Sequence, residues 1–224
     1  MHAHLIPGID DGAKTVEKSI EYIEGLVKLG YQKLIATPHI MGEYYPNSPE
    51  IIQNGLEKLK KGLQQAGITI PVTAAAEYFL DDYFLDLLER KEPLLTLTDN
   101  LLLIEFSTFA PPANFQAILF QLTTMGYRPV LAHPERYIYY ANNLNFFKEI
   151  KSKDCMLQVN LLSLTGHYGP QQKKLAHQLM QSKLIDFAGT DLHHNGHLEI
   201  LAKGLKKQDL QKYLTSYPFL NNNL

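Results

Sequence analysis

Groups able to bind a metal ion recur along this chain where short apolar runs end. His2 and His4 open it, and Asp11 follows in the next loop. A second run ends Thr37-Pro38-His39, a third is followed by Glu77, and a fourth ends Ile104-Glu105. A fifth ends Ala132-His133-Pro134-Glu135-Arg136, and the last ends Gly189-Thr190-Asp191-Leu192-His193. Residues two apart on a strand share a face, so His2 with His4, and Asp191 with His193, can each reach one ion. Imidazoles and carboxylates together suit Mn²⁺, Fe²⁺, Zn²⁺ or Mg²⁺, with a carboxylate as bridge. No thiolate cluster accompanies them, which argues against a structural zinc site. A lone strand-end His or Glu is ordinarily a satisfied polar residue, and His-x-His by itself is a weak signal. Nine such groups at one end of one sheet are another matter, because burying several carboxylates together without cations is strongly unfavourable.

The elements that must position them alternate between short apolar runs and amphipathic stretches. Strands are expected at 2–6, 33–37, 71–75, 101–105, 128–132, 156–160 and 185–189. Helical periods fall at 16–29, 49–66, 81–88, 114–125, 142–152 and 170–181. Apolar strands separated by helices predict an α/β fold with a buried parallel sheet. Pattern alone leaves open whether that sheet closes into a barrel or stays doubly wound. Either way, sites in such folds lie at the carboxyl ends of the strands, where six of the seven expected strands carry His, Asp or Glu. The segment 206–224 reads as a short helix and a frayed tail.

The chain has 224 residues, 45% of them hydrophobic, which suits one domain with a full core. A net charge of −2 offers no basic surplus for nucleic acid. No apolar run approaches the length of a membrane span, and no charged start followed by an apolar stretch marks a signal peptide. The single cysteine, Cys155, rules out an internal disulfide framework and fits a reducing, cytoplasmic compartment. It is read as a small buried residue. A cysteine phosphatase would want Arg six positions later, and Leu161 stands there.

Other candidates are weaker. His167, His177, His194 and His197 are expected at the surface, with His194 and His197 as candidates on the substrate side. Glu43, Tyr44 and Tyr45 lie in a loop that can line an entrance. Of the neighbours Asp10 and Asp11, one is expected to meet a metal directly. Gly8 and Gly12 serve a turn rather than a phosphate cradle.

His2-x-His4, His39, His133 and Asp191-x-His193 resemble the four motifs of the PHP (polymerase and histidinol phosphatase) superfamily. The stretch His4-Leu5-Ile6-Pro7-Gly8-Ile9-Asp10-Asp11-Gly12-Ala13 narrows the likeness. With Ala76-Glu77, Ile104-Glu105-Phe106 and Ala132-His133-Pro134-Glu135-Arg136-Tyr137, it resembles the bacterial capsule and exopolysaccharide tyrosine phosphatases of the CpsB/YwqE type. That resemblance implies a distorted, TIM-like (β/α)₇ barrel, three divalent ions and hydrolysis of phosphotyrosine. Manganese is the expected metal, with Fe²⁺, Zn²⁺, Mg²⁺ and Co²⁺ as alternatives. The implied partner is the tyrosine-rich tail of a bacterial tyrosine kinase that controls polysaccharide export.

By the same resemblance, one ion is held by His2, His4, Glu77 and Asp191. A second shares Glu77 and adds Glu105 and His133, and a third takes Asp11, His39 and His193. Arg136 matches the phosphate-binding arginine, and Asp11 and His193 join it as catalytic candidates. Two departures carry expectations. Met1 stands directly before His2, so the first strand reads as shortened and its ion as the least firmly held. No Arg follows Asp191-x-His193, so phosphate binding leans on Arg136, or on His194 or His197. Two rival functions remain, a PHP phosphoesterase for a small ester such as histidinol phosphate and a non-catalytic metal-binding regulatory module.

Overall fold

The structure is a computed structural model that describes residues 1–224, apart from the side chains at 208 and 209. In chain order its elements are α1 (Val16–Lys28), β1 (Leu34–Ala36), β2 (His39–Ile40), α2 (Pro49–Gln65), β3 (Val72–Ala74) and β4 (Glu77–Phe79). Then come α3 (Asp82–Glu89), β5 (Leu101–Glu105), α4 (Phe115–Thr124), β6 (Arg128–Ala132), α5 (Leu144–Ser152) and β7 (Met156–Asn160). The chain ends with α6 (Leu161–Thr165), α7 (Pro170–Gln181), β8 (Phe187–Gly189), α8 (Asn195–Gly204) and α9 (Gln208–Ser216).

All strand pairs are parallel. β1 lies beside β3, and the rest run in the order β2-β4-β5-β6-β7-β8. β1 and β2 are two halves of one strand, parted at Thr37-Pro38, where proline has no N–H to give the ladder. β3 and β4 are likewise two halves, parted at Ala75-Ala76. Residues 2–4 fill the remaining gap. Asp191 N donates to His2 O at 2.8 Å and His4 N to Leu192 O at 2.9 Å on one side. Thr37 N donates to Ala3 O at 2.9 Å on the other. Seven strand positions therefore close into a barrel, with the amino-terminal segment as the seventh.

This corrects three expectations. Residues 2–6 do not form a regular strand; they make one isolated parallel bridge, Ala3 to Leu192. The strands expected at 33–37 and 71–75 pause and resume as β2 and β4, which carry the pairing up to His39 and Glu77. The tail is not frayed. Leu220–Asn223 forms a 3₁₀ turn, and the Asn221 amide accepts from Ala188 N at 2.9 Å and donates to Ala188 O at 2.8 Å. One side chain thus bonds the β8 edge as a neighbouring strand would.

Helices begin where caps and apolar stripes agree. α1 starts at Thr15, whose side chain accepts from Lys18 N, and buries Tyr22, Ile23 and Leu26. α2 starts at Ser48 with Pro49 at its first position, and buries Ile52, Leu56, Leu59 and Leu63. Each such aliphatic side chain contributes about 1.5–3 kcal/mol on burial.

Strand parity divides the core. Ile35, Leu103, Val130, Met156 and Phe187 form a small apolar cluster that fills the barrel, capped by Met1 and Leu224. The alternate residues, such as Ile104, Leu131, Leu157 and Val159, join the larger cluster under the helices. Continuing the inward parity up β5 leads from Leu103 to Glu105. On β7 it leads from Met156 to Gln158 and Asn160. The barrel is therefore oily at one end and polar at the other.

Candidate metal centre

Glu77, the first residue of β4, is fully buried at the centre of the polar end. Its Oε1 lies 3.0 Å from His133 Nε2. Its Oε2 faces His2 Nε2 at 3.1 Å, His4 Nε2 at 3.4 Å and His39 Nδ1 at 3.4 Å. Asp191 Oδ1 closes the same space, 3.3 Å from His2 Nε2 and 3.4 Å from His4 Nε2. Ligand atoms converge in three groups, each within 4.8 Å. They are His2, His4, Glu77 and Asp191; His4, Asp11, His39 and His193; and His39, Glu77 and Glu105. His133 joins the third, its Nε2 standing 3.6 Å from Glu105 Oε2. All nine candidate ligands thus meet at one place. The second of the three sets expected from the sequence also gains His39, whose Nδ1 is 2.8 Å from Glu105 Oε1.

The residues present fit cations. His4 Nε2 is buried with no hydrogen-bond partner, and His39 Nδ1 and Glu105 Oε1, also buried, face each other at 2.8 Å without hydrogen-bond geometry. Unpaired buried polar atoms are costly, and a shared cation satisfies all three. The far ring nitrogens are held so that lone pairs point inward. His2 Nδ1 donates to Gln158 Oε1 at 2.5 Å, and His4 Nδ1 to Asp10 Oδ2 at 2.7 Å. His193 Nδ1 donates to Asp191 O at 2.9 Å. Asp10 also accepts from Gly12 N and His39 N, so it orients the His4 ring and holds the His39 backbone while Asp11 reaches into the cluster. Asp11 Oδ1 lies 3.3 Å from His193 Nε2 and 3.5 Å from His39 Nε2. Gly12 packs so closely that a Cβ there would meet His4 Cβ at 2.3 Å.

Among the described residues, three of the seven non-glycine residues with positive φ lie in the cluster. His2, His133 and Asp191 all have positive φ, at 61°, 34° and 48°. Each such conformation costs a non-glycine residue about 1–3 kcal/mol and persists only where the surroundings impose it.

Burial alone would push the Glu77 and Asp191 carboxyls up. The facing imidazoles, His2 foremost, outweigh it and hold both well below the usual carboxylate range. Burial would push His2 down, but Glu77 and Asp191 raise it to about 10. His39 rises to about 9 against its own burial, chiefly through Glu105. Protons and cations therefore compete for the same positions.

The cluster floors a cleft of about 660 Å³. Arg136 stands on its wall, Nη1 3.1 Å from Asp191 Oδ2 and its guanidinium 4.8 Å above the Tyr168 ring. The 3₁₀ turn Pro134–Arg136 that carries it is anchored by buried Glu135, which accepts from Asn160 N and Ser163 Oγ. Tyr44 and Phe109 stand at the mouth, 70% and 94% exposed. Tyr45 instead stacks on His39, and Glu43 faces an adjoining groove. Cys155 is buried, as expected, and burial pushes its thiol up to about 12.

Several partners were not legible as such. β7, the one expected strand with no charged end, supplies Gln158 behind His2 and Asn160, whose Nδ2 donates to Asp191 Oδ2 at 2.9 Å. Polar residues at 158 and 160 within an apolar run, two apart, were the available signal. His197, a substrate-side candidate, corrects only the expectation of a surface position. It is buried rather than at the surface, in the first turn of α8, and lines the cleft beside His194. Burial, with His194 and His193 nearby, lowers it to about 4. His177 is half-buried and pairs with the Tyr213 hydroxyl, while His167 is exposed.

A closed parallel α/β barrel that gathers imidazoles and carboxylates at the carboxyl ends of its strands defines a class, the barrels built around metal ions at the C-terminal face. Within that class, the chain belongs to the CpsB/CapC family of capsular polysaccharide synthesis, whose model matches residues 1–212. It is 32% identical over 196 residues to the tyrosine-protein phosphatase YwqE of Bacillus subtilis, covering 87% of this chain and 76% of that one. It is 26% identical over 204 residues to the tyrosine-protein phosphatase CpsB of Streptococcus agalactiae, covering 87% and 82%. A solved structure from the pair YwqE of Bacillus subtilis and CpsB of Streptococcus pneumoniae, described as unique metal-dependent tyrosine phosphatases, aligns with a TM-score of 0.82. That alignment has 30% identity and covers 97% of this chain and 91% of the other. Among the described residues, no helix is long and apolar enough to cross a membrane.

Proposed function

We propose that this chain is a metal-dependent protein-tyrosine phosphatase, working in the cytoplasm through one PHP-type domain spanning residues 1–224. Its proposed substrate is phosphotyrosine in the C-terminal tail of a bacterial tyrosine kinase that governs capsule or exopolysaccharide synthesis. The observation that carries this reading is Glu77, one buried carboxylate facing four imidazoles at the floor of an arginine-walled cleft. The proposed ligands are His2, His4, Glu77 and Asp191 for one ion, and Glu77, Glu105 and His133 for a second. Asp11, His39 and His193 are the proposed ligands of a third. Manganese is proposed first, as the family resemblance implies; the mixed oxygen and imidazole donor set is compatible with it and equally with Fe²⁺ or Zn²⁺.

When bound, such ions supply an activated water near neutral pH and offset phosphoryl charge. The chain's own groups do the rest. Arg136 presents a guanidinium fork to non-bridging oxygens, and Asp191 and Tyr168 fix its direction. Tyr44 and Phe109 provide apolar walls for an aromatic ring. A tyrosyl oxygen is a fairly good leaving group, so strong acid help is unnecessary. Asp11 and His193 are proposed as catalytic through the third ion position they share on the open side of the cluster, where a water held by that ion would supply the leaving group's proton.

The test compares turnover of a phosphotyrosyl peptide with that of histidinol phosphate on Mn²⁺-loaded protein. Preference for the peptide is expected. Preference for histidinol phosphate would replace the substrate, and bound metal without turnover of either would make the chain a binding module.

A further inference from the structure

We propose that Tyr139 is a positioning residue for substrate choice, its hydroxyl holding the loop at the cleft mouth so that Phe109 covers the ring of an aryl phosphate. The proposal deepens the phosphatase reading and rests on it for the identity of that ring.

The argument begins with a loop that has few bonds of its own. After Glu105, at the end of β5, the chain runs Phe106-Ser107-Thr108-Phe109-Ala110-Pro111-Pro112-Ala113-Asn114 before α4 begins. Among the described residues, no backbone–backbone hydrogen bond holds residues 106–113. Two tyrosine hydroxyls hold the start of the loop instead. Phe106 N donates to Tyr137 Oη at 3.0 Å, and Tyr139 Oη donates to Ser107 O at 2.9 Å. Ser107 Oγ in turn accepts from Phe109 N at 3.2 Å. The Tyr139 bond therefore fixes the residue that aims Phe109.

Both tyrosines follow directly on the turn that carries Arg136. Tyr137 is fully buried, its ring 4.9 Å from that of Phe106 and 5.8 Å from that of His133. Tyr139 stacks on it at 5.9 Å and meets Tyr140 edge-on at 4.9 Å. Tyr140 lies flat on Phe146 of α5 at 3.6 Å. A chain of rings thus runs from the helix layer to the cleft mouth. Packed rings keep their places, so the two hydroxyls are fixed points for the loop. Burial pushes the Tyr139 hydroxyl up, so it remains a donor throughout the neutral range.

The consequence is a set spacing between two parts of one wall. Arg136 and Phe109 line the same cleft, and Tyr137 and Tyr139 tie the turn of the first to the loop of the second. Phe109 is exposed, so its ring is free to meet a ligand. A loop held beforehand in its bound position binds more tightly than one that substrate must order. An ester without a ring gains nothing from that order. Tyr139 therefore acts on the choice between aryl and ring-free phosphates and leaves phosphate capture alone.

The test uses the full-length, Mn²⁺-loaded protein. Calorimetry compares inorganic phosphate with benzylphosphonate, whose ring and phosphoryl group are joined by a carbon that is not hydrolysed. Kinetics on a phosphotyrosyl peptide accompany it. Tyr139→Phe removes one oxygen and keeps the ring packing. It is expected to weaken benzylphosphonate binding and raise KM for the peptide by roughly 3- to 10-fold, the range for one neutral hydrogen bond. Its affinity for inorganic phosphate and its metal content should match wild type. Added to Phe109→Ala, which removes the ring wall, Tyr139→Phe is expected to cost nothing further. Equal losses for phosphate and benzylphosphonate would overturn the proposal, since Tyr139 would then act through Arg136. So would losses that multiply in the double variant, or a Tyr139→Phe protein with the wild-type preference for benzylphosphonate over phosphate. If Tyr139→Phe shifts that preference yet wild type does not cleave the peptide, the substrate reading fails and this assignment stands.

Discussion

A buried carboxylate facing four imidazoles, and an arginine held over a tyrosine, set the chemistry at the scale of single residues. Arg136 is 29% exposed on its side chain, close enough to water to meet a substrate and paired firmly enough with Asp191 to keep one direction. Replacing it with Ala should lower kcat/KM about 10²–10³-fold, the usual cost of one preorganised donor at a developing oxyanion. Metal content should stay near wild type. Lys in its place should recover only part of the rate, since an ammonium lacks the fork. Loss of metal in step with rate would mean that Arg136 serves Asp191 instead of substrate. Asp10 tests the layer behind the ligands. It binds no candidate ion position, yet holds His4 and the backbone of His39. Asp10→Ala should weaken metal retention by about 10- to 100-fold, as loss of such an orienting partner does elsewhere. Metal affinity equal to wild type, measured by competition with a chromogenic chelator, would contradict that role.

At the scale of elements, strand ends were legible because ligands concentrate there, but strand interruptions were not. Pro38 announces a break in pairing, yet nothing in Ala75-Ala76 does, so β2 and β4 were found only in the folded chain. The positions of His39 and Glu77 on them decide which atoms meet. α8 is not legible in the sequence because His194-Asn195-Gly196-His197 has weak helical propensity, and its cap is a histidine rather than Ser, Thr or Asp. The amides of β7 carry no distinct signal because Gln and Asn inside a strand read equally as satisfied core residues. Their work shows in Gly189 of β8. A Cβ there would lie 2.4 Å from Gln158 Nε2 and 2.9 Å from His2 Cβ. Gly189→Ala should therefore cost about 1–3 kcal/mol by overpacking. It should also loosen the ion beside His2 more than the one beside Asp11. A fully stable variant with normal metal content, by thermal melt and elemental analysis, would show that the two strands give way easily.

At the scale of the whole molecule, closure of the barrel and assembly of the cluster are one event. The amino-terminal segment closes the ring through hydrogen bonds on both sides and places His2 and His4. This weighs against the expectation that the ion beside them is held least firmly, because residues 2–4 are bonded to both neighbouring strands. Ions that bind the folded chain must stabilise it, by about 2.7 kcal/mol at a free concentration one hundred times Kd. Chelation should therefore lower Tm, and added Mn²⁺ should restore it. Because His2 and His39 hold protons that a cation must displace, metal binding should tighten as pH rises from about 6 to about 8. A Tm indifferent to chelator, or binding that weakens over that range, would contradict the cluster as a metal centre. The most direct test of the central claim is phosphotyrosyl-peptide turnover by Glu77→Gln beside wild type, with bound metal counted in the same samples. The variant should fold, lose metal and fall at least about 100-fold in rate, beyond the loss expected from a merely supporting residue. A Glu77→Gln protein that keeps its metal and its rate would contradict the account.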